Sequence, residues 1–129
     1  MMNSNQMRSV ITKLCPDFQV KMEWHRTLTS AGYMPLHIEV IEQNIISVMH
    51  TYRHESGDVI RDPDVLFWAD PTSGDWFPVS MMTIYGIQQV AQVASDYSRI
   101  ESFRPRGQRD LATFCNTWAR NIRQQFREL

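Results

Sequence analysis

From Leu36 onwards, apolar residues recur at every second position, and this alternation limits the possible folds more than any other feature of the chain. The runs LHIEVIE, IISVMHTYRH, DVLFWAD and WFPVSMMTIY all suit extended strands, and short polar links separate them. DVLFWAD is apolar on both faces, which is typical of an interior strand. Residues 87–95 suit either a helix or a strand, and we favour a strand because it continues the series. The pattern predicts an antiparallel meander of four or five strands.

The two ends of the chain have helical periodicity instead. Met7, Val10, Ile11 and Leu14 predict a helix over residues 5–15 that ends at Pro16. Near the C-terminus, Asp110 is a candidate cap for a helix over 111–127, whose apolar stripe is Leu111, Phe114, Cys115, Trp118, Ile122 and Phe126. Residues 17–34 suit an extended segment or a second short helix. The predicted fold class is α+β, with the meander packed against a short N-terminal helix and a longer C-terminal amphipathic helix.

Length and composition fit a single domain. The 129 residues divide into an N-terminal helical region (1–32), the meander (33–98), and a basic loop with the C-terminal helix (99–129). No apolar run is long enough to span a membrane, and the N-terminus lacks the continuous apolar stretch of a secretory signal. Cys15 and Cys115 have no CxxC partner, so we expect two buried reduced thiols, with a disulfide as the alternative. The simplest location is the cytoplasm.

The stretch HTYRHESGDVIRDPDV (residues 50–65) concentrates histidines and carboxylates and is the clearest candidate for a metal site. His50, His54, Asp58 and Asp62 could serve a metal-dependent hydrolase. However, His50 and His54 would lie about 13 Å apart on a strand, which is too far for one ion. A β-hairpin explains the same residues, with its turn at Ser56-Gly57, residue 54 facing 59, residue 50 facing 63, and a kink or bulge at Asp62-Pro63. We therefore predict a hairpin, with ligand binding by its polar tip as the alternative.

No motif for catalysis or cofactor binding stands out. The chain has no GxGxxG, GxxxxGK[ST], HExxH or GxSxG sequence. Cys115 lies on the apolar stripe of the C-terminal helix, where a thiol is usually inert packing. We therefore predict a protein that is not an enzyme, with no catalytic residue, no metal ligand and no cofactor.

A set of spaced residues resembles the pattern of an uncharacterised bacterial domain family that occurs on plasmids, phages and integrated elements. The match covers roughly residues 33–125 and is carried by Pro35-Leu36, His50, Tyr52, Gly57-Asp58, Asp62-Pro63, Phe67, Trp76, Pro78, Phe114, Trp118, Asn121 and Ile122. The chain departs from the pattern in residues 84–100, and residues 1–32 look particular to it. The resemblance implies a small accessory protein of mobile-element origin and implies no reaction.

Two functions remain for a protein without catalytic motifs, and the metal-dependent hydrolase at residues 50–62 stays as a further alternative. The first is binding of another protein, for example as a mobile-element factor that inhibits host defence. Exposed tryptophans beside acidic positions would anchor such a partner, and the candidate residues are Trp24, His54, Glu55, Asp58, Trp68 and Trp76. Dimerisation through an open edge strand or a helix face is compatible with this function.

The second function is binding of nucleic acid by the C-terminal segment, because charge is unevenly distributed. Residues 1–98 contain six basic and eleven acidic residues, whereas residues 99–129 contain seven arginines and three acids. The candidate contacts are Arg99, Phe103, Arg104, Arg106, Arg109, Arg120, Arg123 and Arg127. The alternative is that this basic segment neutralises the acidic body of its own fold, and a pI of about 6.4 favours that alternative.

Overall fold

The computed structural model describes residues 1–127 and confirms the α+β class. In chain order the elements are α1 (Asn5–Leu14), β1 (His25–Leu28), β2 (Leu36–Glu42), β3 (Ile45–Arg53), β4 (Val59–Ala69), β5 (Trp76–Thr83), β6 (Gly86–Gln89), β7 (Ala91–Val93), β8 (Ile100–Phe103) and α2 (Pro105–Gln125). The first six strands form one antiparallel sheet in the order β1-β2-β3-β4-β5-β6, and β7 pairs with β8. Within residues 1–127, no helix is long and apolar enough to cross a membrane.

Both helices cover the same face of the six-stranded sheet. Met7, Val10 and Ile11 of α1 pack with the α2 stripe against every second residue of β2, β3 and β4, including Ile38, Val48 and Phe67. The apolar residues predicted from the helical period of 3.6 and the strand period of 2 therefore share one core, because each apolar stripe has to be buried against another element. Phe114 is the exception: the predicted stripe included it, but its side chain is exposed on the outside of α2.

The opposite face of the sheet, which we call the second face, is covered only at one end. There the β7–β8 hairpin and the loop that joins its strands pack on Ile45, Trp68 and Val79. The Trp68 indole N–H donates to the Tyr97 carbonyl oxygen at 2.8 Å, and Asn44 Nδ2 donates to the same oxygen at 3.2 Å. The remainder of the second face has no helix or strand above it in the described chain.

Residues 87–95 are strand, as favoured, but they form two strands instead of one. Val90 is buried between them; its N–H donates to the Val79 carbonyl oxygen at 2.9 Å, and its carbonyl oxygen accepts from the Arg104 N–H at 2.8 Å. The chain therefore leaves the large sheet at Val90 and continues as β7 over the second face. In the uncertain region 17–34, residues 25–28 form the edge strand β1.

The C-terminal helix begins at Pro105, six residues before the predicted start at residue 111, so the expected cap Asp110 lies inside it. Proline is favoured in the first turn of a helix because it has no N–H to satisfy there. Gln108 is buried, and its amide nitrogen donates to the Met2 carbonyl oxygen at 2.7 Å while its amide oxygen accepts from the Met2 N–H at 2.8 Å. A stretch that looks like a basic loop is thus β8 followed by the start of α2.

The hairpin predicted for residues 50–65 is present, with its pairing shifted by one residue. Arg53 pairs with Val59, and the His54 N–H donates to the Asp58 carbonyl oxygen at 2.8 Å, so residue 54 faces 58 and not 59. Gly57 has a φ of 94°, which supplies the left-handed conformation that the turn requires. The predicted bulge at Asp62-Pro63 also occurs. Met49 pairs with Asp64 and Thr51 pairs with Arg61, so two residues of β4 lie opposite one residue of β3.

Candidate functional site

Two of the three candidate tryptophan anchors are buried. Trp76 is 1% exposed, and its ring lies 5.6 Å from the rings of Phe18 and Phe67. Trp68 is 5% exposed beneath the β7–β8 connection. Trp68 and Trp76 therefore do not have the exposed side-chain surface that an interface anchor needs.

The other partner-binding candidates lie at opposite ends of the sheet. Trp24 is half-buried, with its ring 4.8 Å from Phe18 and 5.6 Å from the Arg26 guanidinium carbon, and its carbonyl oxygen accepts from the Val40 N–H. His54, Glu55 and Asp58 are all exposed at the β3–β4 turn. Val40 pairs with Ile46, and Arg53 at the turn lies seven positions further along β3, a distance of about 23 Å at the usual rise. These residues do not form one compact site.

The four residues considered for metal binding are also separated. The His50 ring is buried on the helix-covered face, 5.6 Å from the Trp118 ring, and its Nδ1 lies 3.2 Å from the Pro35 carbonyl oxygen. Burial lowers the pKa of His50, because the charged imidazolium loses its hydration. His54 and Asp58 lie at the exposed turn instead. Residues 1–127 contain no group of three or more His, Cys, Asp or Glu side chains placed to hold a metal ion.

Both cysteines are buried and unpaired, as expected from their lack of a CxxC partner. Burial raises the pKa of the Cys115 thiol. Burial also raises the pKa of the Cys15 thiol, and the nearby positive charge of Arg26 offsets part of that effect. A raised pKa reduces the thiolate fraction, and the thiolate is the reactive form. Cys115 thus has the properties of core packing.

The C-terminal arginines are exposed and, with one exception, make no ion pair within the described residues. The exception is Arg99, whose Nη1 lies 3.9 Å from Glu101 Oε1. Along α2, the 3.6-residue period places three of them on its solvent side, and we call this surface the arginine face: Arg106, Arg109 and Arg120. Arg127 follows the end of the helix. Arg104 is the N-cap of α2, Arg123 turns towards α1, and Phe103 is 42% exposed at the end of β8.

The two most exposed large apolar residues of the described chain, Tyr85 and Ile87, lie in a place that the sequence prediction did not single out. Thr83 pairs with Gly86, so Ile84 and Tyr85 form a two-residue turn between β5 and β6. Tyr85 is 93% exposed, Ile87 73% and Ile84 55%, and we call these three residues the apolar hairpin. Turns of this length usually contain Asn, Asp or Gly, so the apolar pair in MTIYGI was the signal that could have revealed this surface.

An apolar groove adjoins the apolar hairpin on the second face. This sheet groove has a volume of about 290 Å³ and lies between the β7–β8 unit and strands β2 to β6. Its larger aliphatic lining residues, which include Ile87 of the apolar hairpin, are Ile41, Ile45, Leu66, Val79, Ile87 and Val93. The strand β6 also ends the sheet order, so no strand of residues 1–127 lies next to its outer edge. An apolar turn, an open strand edge and an apolar groove are therefore contiguous.

No curated protein and no solved structure matches the chain. The model of a family described as "Domain of unknown function (DUF6908)" matches residues 8–126. This match confirms the resemblance to an uncharacterised domain family and extends it: residues 84–100 lie inside the match, and so does most of the N-terminal segment that looked particular to this chain. The chain therefore belongs to the DUF6908 family of domains of unknown function.

Proposed function

We propose that this domain is a non-enzymatic module that binds an extended segment of a partner protein along β6. The observation that carries the proposal is the nearly complete exposure of Tyr85 beside Ile87 at the open edge of the sheet. Apolar residues at such a turn add nothing to the core, and removing them from water on binding is favourable.

The backbone of β6 supports addition of a strand. β6 pairs with β5 on one side only, so half of the N–H and C=O groups of Gly86–Gln89 point outwards. A partner strand would satisfy these groups, while alternate side chains of that strand reach the sheet groove. Backbone pairing would supply affinity and the groove would supply selectivity for apolar side chains.

The energy available from the side chains is sufficient for a specific contact. Full burial of an exposed residue such as Ile87 contributes roughly 1.5–3 kcal/mol, and aromatic residues such as Tyr85 are frequent hot spots of interfaces. The polar groups nearby include Gln89 and Gln92, whose side chains bond to each other at 3.1 Å. Apart from Glu42, no charged side chain among the described residues lines the groove, which suits an apolar partner segment.

The test is capture of partners by the tagged protein from host lysate, with nuclease and at two salt concentrations. The double variant Tyr85→Ser, Ile87→Ser should reduce the amount of captured protein at least about tenfold, because both anchors are removed. Tyr33→Ser is the matched control, since Tyr33 is also exposed but lies outside the hairpin and the groove. Capture that the double variant retains as well as the control does contradicts the proposal.

Light scattering of the purified protein tests whether the partner is a second copy. A dimer that the double variant abolishes would identify the open edge as a self-association surface. A monomer at all concentrations directs the search to other proteins.

The biological setting we propose is a bacterial mobile element whose accessory protein binds and inhibits a host defence protein in the cytoplasm. The resemblance described from the sequence supports this setting, and two unpaired buried thiols suit a reducing compartment. Co-expression with a captured defence protein tests it: the protein should block that system, and the double variant should not.

Nucleic-acid binding by the arginine face is a second candidate. It is favoured by one observation, the lack of ion pairs for the exposed α2 arginines among residues 1–127. The test is a salt titration with duplex DNA, in which the log–log slope should fall by about 0.9 for each phosphate that a variant no longer neutralises. The double variant Arg109→Gln, Arg120→Gln should reduce the slope, whereas Arg53→Gln at the β3–β4 hairpin should not.

A further inference from the structure

A cleft lies between the two helices on the side of the molecule opposite the sheet groove. It has a volume of about 300 Å³ and is bounded by the C-terminal half of α1 and the end of α2. Its floor is apolar: Val10 and Phe126 are almost fully buried there, and Leu14 is half-buried. Its charged lining consists of Lys13, Arg123 and Arg127, and no carboxylate among the described residues lines it. We call this site the helix cleft.

The three cationic side chains carry more positive charge than the negative C-terminal ends of the two helices can neutralise. α1 and α2 run parallel, because Ser4 bonds to Ala112 at one end and Lys13 shares the cleft with Arg123 at the other. Both C-terminal ends therefore meet here, and each contributes roughly half a negative charge. Counting the described residues alone, three cationic side chains against about one negative charge leave the cleft positive by about two charges.

These cations have no ion-pair partner in the part of the chain that the structure describes. Three like charges around an apolar floor repel one another, and an anion placed among them removes that repulsion. An inorganic anion would satisfy the rim but leave the exposed part of Leu14 in contact with water. A neutral apolar molecule would satisfy the floor but not the rim.

We propose that the helix cleft binds a small amphipathic anion. Its apolar body would lie on Val10, Leu14 and Phe126, and a single carboxylate, sulfonate or phosphate head would be held by Lys13, Arg123 and Arg127. The volume is at the lower end of the range for small-molecule sites, about 300–1,000 Å³, so the ligand is a single ring system or a medium-length chain. None of the residues that line the helix cleft belongs to the apolar hairpin, so ligand binding here can be tested independently of the proposed protein binding.

The experiment compares two probes that differ by one charged group. 1-Anilinonaphthalene-8-sulfonate has an apolar body and a sulfonate, and N-phenyl-1-naphthylamine has the same body without it. Fluorescence titration of the folded protein should show binding of the sulfonate at least about tenfold tighter, since hydrogen bonds to charged groups are the strong ones. In two-dimensional NMR spectra of the same samples, binding of the sulfonate should shift the methyl signals of Val10 and Leu14.

The matched variants are Arg123→Gln and Arg120→Gln, both exposed positions on α2. Arg123 lines the helix cleft and Arg120 does not. Arg123→Gln should weaken the sulfonate probe about tenfold or more and leave the neutral probe unchanged, whereas Arg120→Gln should change neither. Glu128→Gln, titrated in parallel, measures competition from the side-chain carboxylate that follows Arg127 in sequence.

Three results would overturn the proposal. They are equal affinity for the two probes, equal effects of the two variants, and NMR shifts confined to residues outside the helix cleft. Unchanged amide spectra of the variants before titration establish that both are folded, so that a loss of binding reports on the cleft.

Discussion

The two faces of the six-stranded sheet are made by the same strands and differ in how completely they are covered. On the helix-covered face, side chains such as Phe67 and Trp76 are almost completely shielded from solvent. On the second face, Leu66 directly beside Phe67 is only half-buried, and Ile87 at the edge is largely exposed. One face has completed its burial within the chain, whereas the other has apolar surface remaining for a partner.

The less covered part of the second face contains a polar region, whose side chains are hydrogen-bonded to one another, and an apolar region that is partly exposed to solvent. In its polar region, the His37 ring nitrogens lie 2.9 Å from Thr27 Oγ1 and 2.8 Å from Thr51 Oγ1, and the Ser47 hydroxyl donates to Asp64 Oδ1 at 2.7 Å. These side chains satisfy one another across neighbouring strands. The sheet groove and the apolar hairpin have no such compensation, and this contrast is why we place binding there.

The largest expected effect compares adjacent residues on opposite faces of β4. Phe67→Ala should lower the free energy of unfolding by about 3–5 kcal/mol, because it leaves a cavity in the core. Leu66→Ala should cost less, on the order of 1–2 kcal/mol, since part of its side chain is already hydrated. Urea unfolding followed by tryptophan fluorescence measures both values. Equal losses would mean that the second face is as tightly packed as the helix-covered one.

A smaller effect concerns a titratable group on the covered face. Burial lowers the pKa of His50, so below the ordinary value of about 6.5 the unfolded chain binds a proton that the folded one does not. Stability should therefore be full above about pH 6.5 and decrease as the pH falls towards the folded pKa. Denaturant midpoints across that window measure this decrease, and His50→Gln should flatten the curve. An unchanged slope in the variant would assign the pH dependence to other groups.

The elements that sequence reasoning predicted well are those whose periodicity is long and regular. α1 and β2 to β5 each present one apolar face to the core, so the pattern in sequence is the pattern of burial. β1 was not specified, because HRTL is four residues long with alternating exposed positions at an edge of the sheet. The start of α2 was missed because Gln108 is held by Met2, which is 106 residues away in sequence.

The binding surfaces were harder to predict than the fold, for a physical reason. Trp68 and Trp76 suggest interface anchors by residue type, yet the first lies under the β7–β8 unit and the second lies in the aromatic core. Residue type states what a side chain could do, whereas its availability depends on which distant elements cover it. The apolar hairpin was overlooked because Ile84, Tyr85 and Ile87 continue the composition of the strand before them.

The smallest expected effect on stability comes from the most exposed aromatic residue. Tyr85→Ser should change the free energy of unfolding by no more than about 0.5 kcal/mol, because a side chain that is 93% exposed has little packing to lose. Urea unfolding at two protein concentrations tenfold apart measures it. A larger loss that grows with concentration would show that the hairpin already packs against a second copy, since association stabilises the folded state by mass action. A larger loss that is independent of concentration would place Tyr85 in the fold itself and remove it as a binding residue. A negligible loss of stability together with failure to capture a partner separates binding from stability, as the contrast between the two faces requires.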